Sequence, residues 1–178
     1  GLGQTAIALK KSKVCDIAGV VDLVAPVHDS ELDFAFEGDL ADPALLERIT
    51  REQGPFDVAL LLDVVEHFAC PEALVKGIYT SIKPGGYLIA SIPNVRHCSV
   101  LLPLLFRGRW DYEDEGVLDR THLRFFTRNT ARALIENAGF QIERILPSAT
   151  ASRWQRLGNA LTLGLMRDFF TIQYYFVA

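Results

Sequence analysis

Blocks of apolar residues alternate with amphipathic stretches along the chain, at spacings that switch between the strand period and the helix period. Gln4 to Lys11 reads as a short helix opening on a glycine turn, followed by strands at Ile17 to Leu23 and Asp33 to Glu37. Asp42-Pro43 has the N-cap and N1 chemistry of a helix start, and that helix runs to about Gln53 before Gly54-Pro55 stops it. Phe56 to Leu62 is a nearly continuous apolar run, which predicts a strand buried on both faces. A helix from Glu72 to Ile82, introduced by Pro71, closes at Lys83-Pro84-Gly85-Gly86, and Tyr87 to Ile92 follows as a strand. The alternation then pauses. Val95 to Trp110 is Leu-rich and interrupted by Pro103, and Asp111 to Arg124 is polar, with four acidic residues from Asp111 to Glu115. Thr127 to Ala138 resumes as a helix ended by Gly139, and Phe140 to Leu146 is a strand. Ser152 to Arg167 fits a helix, and the aromatic run Phe169 to Val177 a last strand packed into the sheet.

This order predicts a Rossmann-like, doubly wound α/β fold: three α/β/α layers around a mostly parallel sheet, with an antiparallel last strand. One domain over residues 1–178 is the expectation, with 95–126 inserted as a cover over an acceptor site. Composition narrows the classes. With 49% hydrophobic and 22% charged residues over 178 positions, the chain has the balance of a folded domain and not of a disordered one. A net charge of -4 disfavours general polyanion binding, which depends on Lys and Arg, so the expected partner is a small molecule and not a nucleic acid. Cys15, Cys70 and Cys98 form no CxxC pair and suit free thiols in a reducing, cytoplasmic setting. The longest apolar stretch, Val100 to Phe106, contains Pro103 and falls far short of the ~20 residues of a membrane span.

In a parallel α/β sheet the ligand sits beyond the carboxyl ends of the strands. The residues there are Gly1-Leu2-Gly3, Val21-Asp22, Gly38-Asp39-Leu40, Asp63 to His67 and Ser91 to His97. Gly1 to Ala6 fits G-x-G-x-x-G/A, and Asp22 lies near the ~20-residue spacing of a ribose-binding acid. An adenosine-containing cofactor follows, with a nicotinamide or nucleotide-sugar enzyme as one alternative. A non-catalytic interaction domain of the same shape is another.

Three stretches decide further: Phe56 to His67, containing Asp63-Val64-Val65-Glu66-His67; Pro71-Glu72-Ala73-Leu74; and Ile82 to Asn94, containing Lys83-Pro84-Gly85-Gly86. With Asp119 to Thr127 and Ala138-Gly139-Phe140, they closely resemble the class I S-adenosylmethionine-dependent methyltransferases. The branch they resemble includes the ubiquinone-biosynthesis-type O-methyltransferases.

The resemblance implies S-adenosylmethionine as cofactor. It implies that Gly1 and Gly3 lie against the methionine moiety, that Asp39 and Leu40 flank the adenine, and that Leu62 and Asp63 line the sulfonium end. An acidic residue two positions after Gly19 is expected at the ribose, but Val21 stands there and Asp22 one step later, on the other face of a regular strand. Asp22 takes that role only if a bulge re-aims it. Methyl transfer to oxygen, the favoured acceptor atom, calls for alignment, water exclusion and a base. His67 and His122 are the candidate bases, since both titrate in the useful range. A divalent cation held by Glu66, His67 and His122 is the less favoured version, and no metal is assigned. His28 and His97 are expected in solvated or structural roles. The first strand of this fold should end at Gly1, so the sequence reads as N-terminally truncated, with weak or no cofactor binding expected until the upstream segment is restored.

Overall fold

The computed structural model describes residues 3–24, 31–148, 159, 162, 164 and 166–178. They fall into two compact units, Gly1–Phe56 and Asp57–Ala178. Gly1, His28 and nearly all of the helix expected over 152–167 lie outside the described residues.

In the first unit, helix α1 (Gln4–Lys11) begins on Gly3, whose φ of 73° is the left-handed conformation that glycine adopts without strain. Strands β1 (Gly19–Asp22) and β2 (Phe34–Glu37) pair in parallel, with Gly19 opposite Phe34 and Asp22 opposite Glu37. Gly19 is required by close approach, because any Cβ there would meet the Phe34 ring at 2.0 Å. Asp33 fixes the entry to the sheet: its carboxylate takes both the Lys10 ammonium at 2.7 Å and the Ala18 amide at 2.8 Å. Those donors hold its pKa below the usual carboxylate range, Lys10 being the larger cause. Helix α2 (Pro43–Gln53) is capped as expected, the Asp42 side chain accepting from the Ala44 amide, and it buries Leu45, Leu46 and Ile49.

The second unit holds a four-stranded sheet in the order β3-β4-β6-β5, with β3 at Phe56–Leu62, β4 at Ile82–Pro93, β5 at Arg144–Pro147 and β6 at Gln173–Val177. Strand β6 runs antiparallel to both β4 and β5, the antiparallel last strand of the expected fold. Helices α3 (Pro71–Ser81), α4 (Cys98–Arg107), α5 (Arg128–Asn137) and α6 (Arg167–Phe170) complete it. The core is built from the alternating inward residues Leu88, Ala90 and Ile92 of β4, Tyr174 and Phe176 of β6, and Leu74, Val75 and Ile78 of α3. Helix α5 adds Ala131, Leu134 and Ile135 and starts on a capping box in which Thr127 and Thr130 exchange hydrogen bonds. No helix among the described residues is long and apolar enough to cross a membrane.

Three expectations are corrected. Strand β3 is not buried on both faces: it is an edge of its sheet, and Val58 is 47% exposed. The Lys83-Pro84-Gly85-Gly86 stretch does not separate helix from strand, because the strand begins at Ile82 and passes through it, with Gly85 at φ 81°. Phe169 and Phe170 sit on α6 and not on the last strand. Only from Gln173 does the chain become extended, so Tyr174 and Phe176 alone carry the buried face.

Candidate functional site

The parallel register of β1 and β2 brings Asp22 and the Gly38-Asp39-Leu40 turn to one end of the first unit. The register is unbroken, so no bulge re-aims Asp22, which ends β1 half-buried and accepts the Val24 amide at 3.2 Å. Asp39 is exposed, with one oxygen closing its own turn through the Ala41 amide at 2.8 Å, and Leu40 beside it is partly buried. Gly3 presents bare backbone at the start of α1; a Cβ there would lie 3.0 Å from the Leu32 side chain. The bare backbone at Gly3, the half-buried Asp22 and the exposed Asp39 are polar features that suit a nucleoside better than a wholly apolar ligand.

In the second unit the chain leaves β3 through Leu62 and turns sharply at Asp63, a non-glycine residue at φ 53°. Ser91 secures the turn, since its hydroxyl accepts from the Asp63 amide at 2.9 Å and donates to the Asp63 carboxylate at 3.0 Å. Gln173 donates to the same carboxylate oxygen. The antiparallel register explains its reach: Gln173, first in β6, stands opposite Pro93, last in β4.

Beyond Asp63 a single 3-10 turn, Val65–His67, carries two ionisable groups, Glu66 and His67, which meet a third, His122. Glu66 is 1% exposed, and neither of its carboxylate oxygens has a hydrogen-bond partner among the described residues. Burial pushes its pKa up to about 7, and the Asp63 and Asp119 charges add to the effect, against a smaller lowering by its own backbone amide. His122 is buried with it; its Nε2 lies 3.9 Å from Glu66 Oε1 and its ring centroid 4.8 Å from that of His67.

The inserted segment delivers His122, and its backbone locks onto the turn. Leu123 and Arg124 amides donate to the Glu66 carbonyl at 2.8 and 3.0 Å, and the Arg124 guanidinium grips the Ala69 carbonyl. Val100, Val117 and Leu118, packed with Val95, Trp110, Phe125 and Ile172, form a small core of their own beneath it. Both imidazoles are oriented by carbonyls, with His122 Nδ1 3.0 Å from the Val117 oxygen and His67 Nδ1 3.2 Å from the Thr121 oxygen. In the neutral rings those Nδ1 atoms therefore carry the proton, and each Nε2 keeps a lone pair.

His122 also lines a cavity of about 490 Å³ with Tyr112, Arg120, Leu123 and Phe125. The volume lies in the range of ~300–1,000 Å³ usual for small-molecule sites. One ligand atom from each of Glu66, His67 and His122 lies within 4.8 Å of the others, a carboxylate and two imidazoles that could also hold a divalent cation.

The structure thus brings together Glu66, His67 and His122, the three residues named above as a possible cation set. Ser91 belongs to the rim read from the sequence, whereas Gln173 was not expected. Gln173 has no local signal, because its partner is 110 residues away. The remaining histidine, His97, caps α4 by accepting the Ser99 amide, a structural role as expected. Tyr79 and Lys83 stand at the Tyr-x-x-x-Lys spacing of short-chain dehydrogenases but do not meet the turn. Tyr79 stacks edge-on against Phe140, and Lys83 pairs with Asp57 near the start of β3.

The family model of a methyltransferase domain matches residues 1–145. The ubiquinone biosynthesis O-methyltransferase of Cupriavidus pinatubonensis is 30% identical over 126 residues, which cover 65% of this chain and 49% of that protein. The chain spans about half the length of the curated relatives it matches. Among solved structures, a SAM-dependent methyltransferase from Archaeoglobus fulgidus superposes with a TM-score of 0.65 at 18% identity, over 100% of this chain and 81% of that one. Human N-acetylserotonin methyltransferase, in complex with SAM, gives 0.55 at 18% identity, over 100% of this chain and 44% of that one. At such identities these two structures establish the fold, the mixed α/β architecture with a mostly parallel sheet.

Proposed function

From the premise that the chain belongs to the methyltransferase-domain family, we propose that it transfers a methyl group from S-adenosylmethionine to a hydroxyl oxygen of a small molecule. The observation that carries the reading is the paired imidazoles beside a small-molecule-sized cavity, each with its Nε2 lone pair free to take a proton. Oxygen as acceptor atom is supported by the name of the ubiquinone-biosynthesis relatives, and the cofactor by the SAM-dependent fold neighbours.

S-adenosylmethionine supplies an electrophilic methyl on a sulfonium. Gly1, Gly3, Asp39, Leu40, Leu62 and Asp63 are the residues we assign to holding it; Asp22, which the regular β1 register leaves without a bulge, is not among them. The bare backbone of Gly3 and the carboxylate of Asp39 fit its polar ends. We assign the acceptor to the cavity lined by Tyr112, Leu123 and Phe125, with segment 95–126 as the element that would close over it. His122 would take the hydroxyl proton at Nε2, so that the acceptor oxygen is free for the methyl that the bound cofactor would supply. The Val117 carbonyl holds the imidazolium by its Nδ1–H, and Glu66, 3.9 Å away, becomes its counter-charge once ionised. His67 shields the opposite side through its edge-to-face contact and can accept the proton in turn.

A second reading rests on one observation, the buried and unpartnered oxygens of Glu66 beside two imidazole lone pairs. Those three groups would hold a divalent cation, which would lower the acceptor's pKa. Methylation of hydroxyl-bearing acceptors with labelled S-adenosylmethionine, with and without EDTA, tests both. Transfer that survives EDTA and falls in His122→Ala supports the base, and transfer abolished by EDTA and restored by a cation supports the metal. S-adenosylmethionine binding without methyl transfer to any hydroxyl-bearing acceptor, with or without added cation, refutes both.

A further inference from the structure

A second cavity of about 590 Å³ opens in the second unit, lined by Arg128, Asn159, Gly164, Arg167 and Asp168. Its charge is unbalanced. The one carboxylate in the lining, Asp168, is already committed: its Oδ2 takes Arg96 at 2.9 Å and its Oδ1 takes the Tyr174 hydroxyl at 2.5 Å. Arg128 rests 6.0 Å from the Tyr174 ring centroid, and neither Arg128 nor Arg167 pairs with a carboxylate among the described residues.

Asn94, 1% exposed, donates to the carbonyls of both Asp168 and Thr171 at 2.7 Å, pinning α6 to the carboxyl end of β4. Arg128 starts α5 at the same end, because Thr127 caps that helix directly after Phe126 bridges Asn94. Two guanidiniums on different elements, the half-buried Arg128 and the exposed Arg167, line one cavity whose carboxylate is already paired, an arrangement suited to an oxyanion.

We propose that this cavity binds a phosphate or carboxylate group through Arg128 and Arg167. The group is either a free small anion or an anionic substituent of the molecule that is methylated. Only the second source rests on the function proposed above.

Titration calorimetry of the protein with inorganic phosphate, against sodium chloride at matched ionic strength, tests the site without methyl transfer. Saturable phosphate binding is expected, weakened at least tenfold in Arg128→Gln and in Arg167→Gln. Arg109→Gln, which removes an exposed arginine paired with Asp111, leaves it unchanged. Arg128→Lys and Arg167→Lys keep the charge without the fork and give intermediate affinity, even where the glutamine variants unfold. No phosphate binding beyond the chloride control, or equal binding in all the variants, overturns the proposal. A carboxylate-bearing acceptor that competes with phosphate, and whose KM rises in the Arg variants while that of a neutral acceptor does not, assigns the anion to the acceptor. Phosphate binding without such competition assigns it to a free anion.

Discussion

Replacing Glu66 by Gln should make the protein more stable, and more so at high pH. The carboxyl holds its proton to about pH 7 in the fold, against an ordinary value of 4.5. At ~1.4 kcal/mol per pKa unit, ionising it inside the fold costs roughly 3 kcal/mol once the pH exceeds both values. The sign follows from proton binding. Below pH 4.5 folded and unfolded chains are both protonated and there is no cost; between 4.5 and 7 the folded chain binds more protons, so stability falls as pH rises; above 7 the loss is complete. Glu66→Gln keeps the shape and removes the ionisation. The variant should therefore match the wild type at pH 4.5 and exceed it by about 3 kcal/mol at pH 8. For a chain of this size that is an increase of roughly 6–12 °C in Tm. Urea unfolding of both proteins at the two pH values, with EDTA present, measures the difference directly. An equal gap at both values, or a variant less stable at pH 8, would refute the reasoning that an unpartnered buried carboxylate sits at the centre of this site. The cost also carries meaning for function: a group that weakens the fold is kept where proton transfer or ligand binding uses it.

Gly3→Ala should lose about 1–2 kcal/mol of stability, because φ is 73° and the Leu32 side chain must move, and thermal unfolding will show it. The same variant should weaken S-adenosylmethionine binding in calorimetry; unchanged affinity would remove Gly3 from the cofactor site. Leu88→Ala, at a fully buried position of β4, should cost about 2–5 kcal/mol in urea unfolding without changing the KM of the remaining folded enzyme.

The elements of this fold were legible wherever local chemistry specifies them. Asp42-Pro43 starts α2, Thr127 starts α5 and Gly3 opens α1, each through a cap or a backbone conformation contained within a few residues. Legibility failed where distant partners decide. The apolar run of β3 gives no sign that it forms an edge of its sheet, since burial depends on which strands pair with it. Phe169 and Phe170 have strand propensity, yet the Asn94 bonds to the Asp168 and Thr171 carbonyls hold that stretch around a helical turn.

The site divides in the same way. His67 and His122 could be singled out from the sequence as titratable residues beside the rim. Their meeting at 4.8 Å could not, because it depends on the insert's amides bonding the Glu66 carbonyl. Glu66 could be grouped with them as a possible cation ligand, but its burial without a hydrogen-bond partner, which raises its pKa, could not be read from the sequence.

The central claim is that His122 accepts the proton of a hydroxyl undergoing methylation. Its most direct test is single-turnover transfer of labelled methyl from S-adenosylmethionine to a phenol-bearing or alcohol-bearing acceptor, in wild type and in His122→Ala, with cofactor affinity measured alongside. The account predicts transfer to oxygen in the wild type and a fall of about 10²–10⁴-fold in the variant, with S-adenosylmethionine binding unchanged. Equal rates in the two proteins would contradict it.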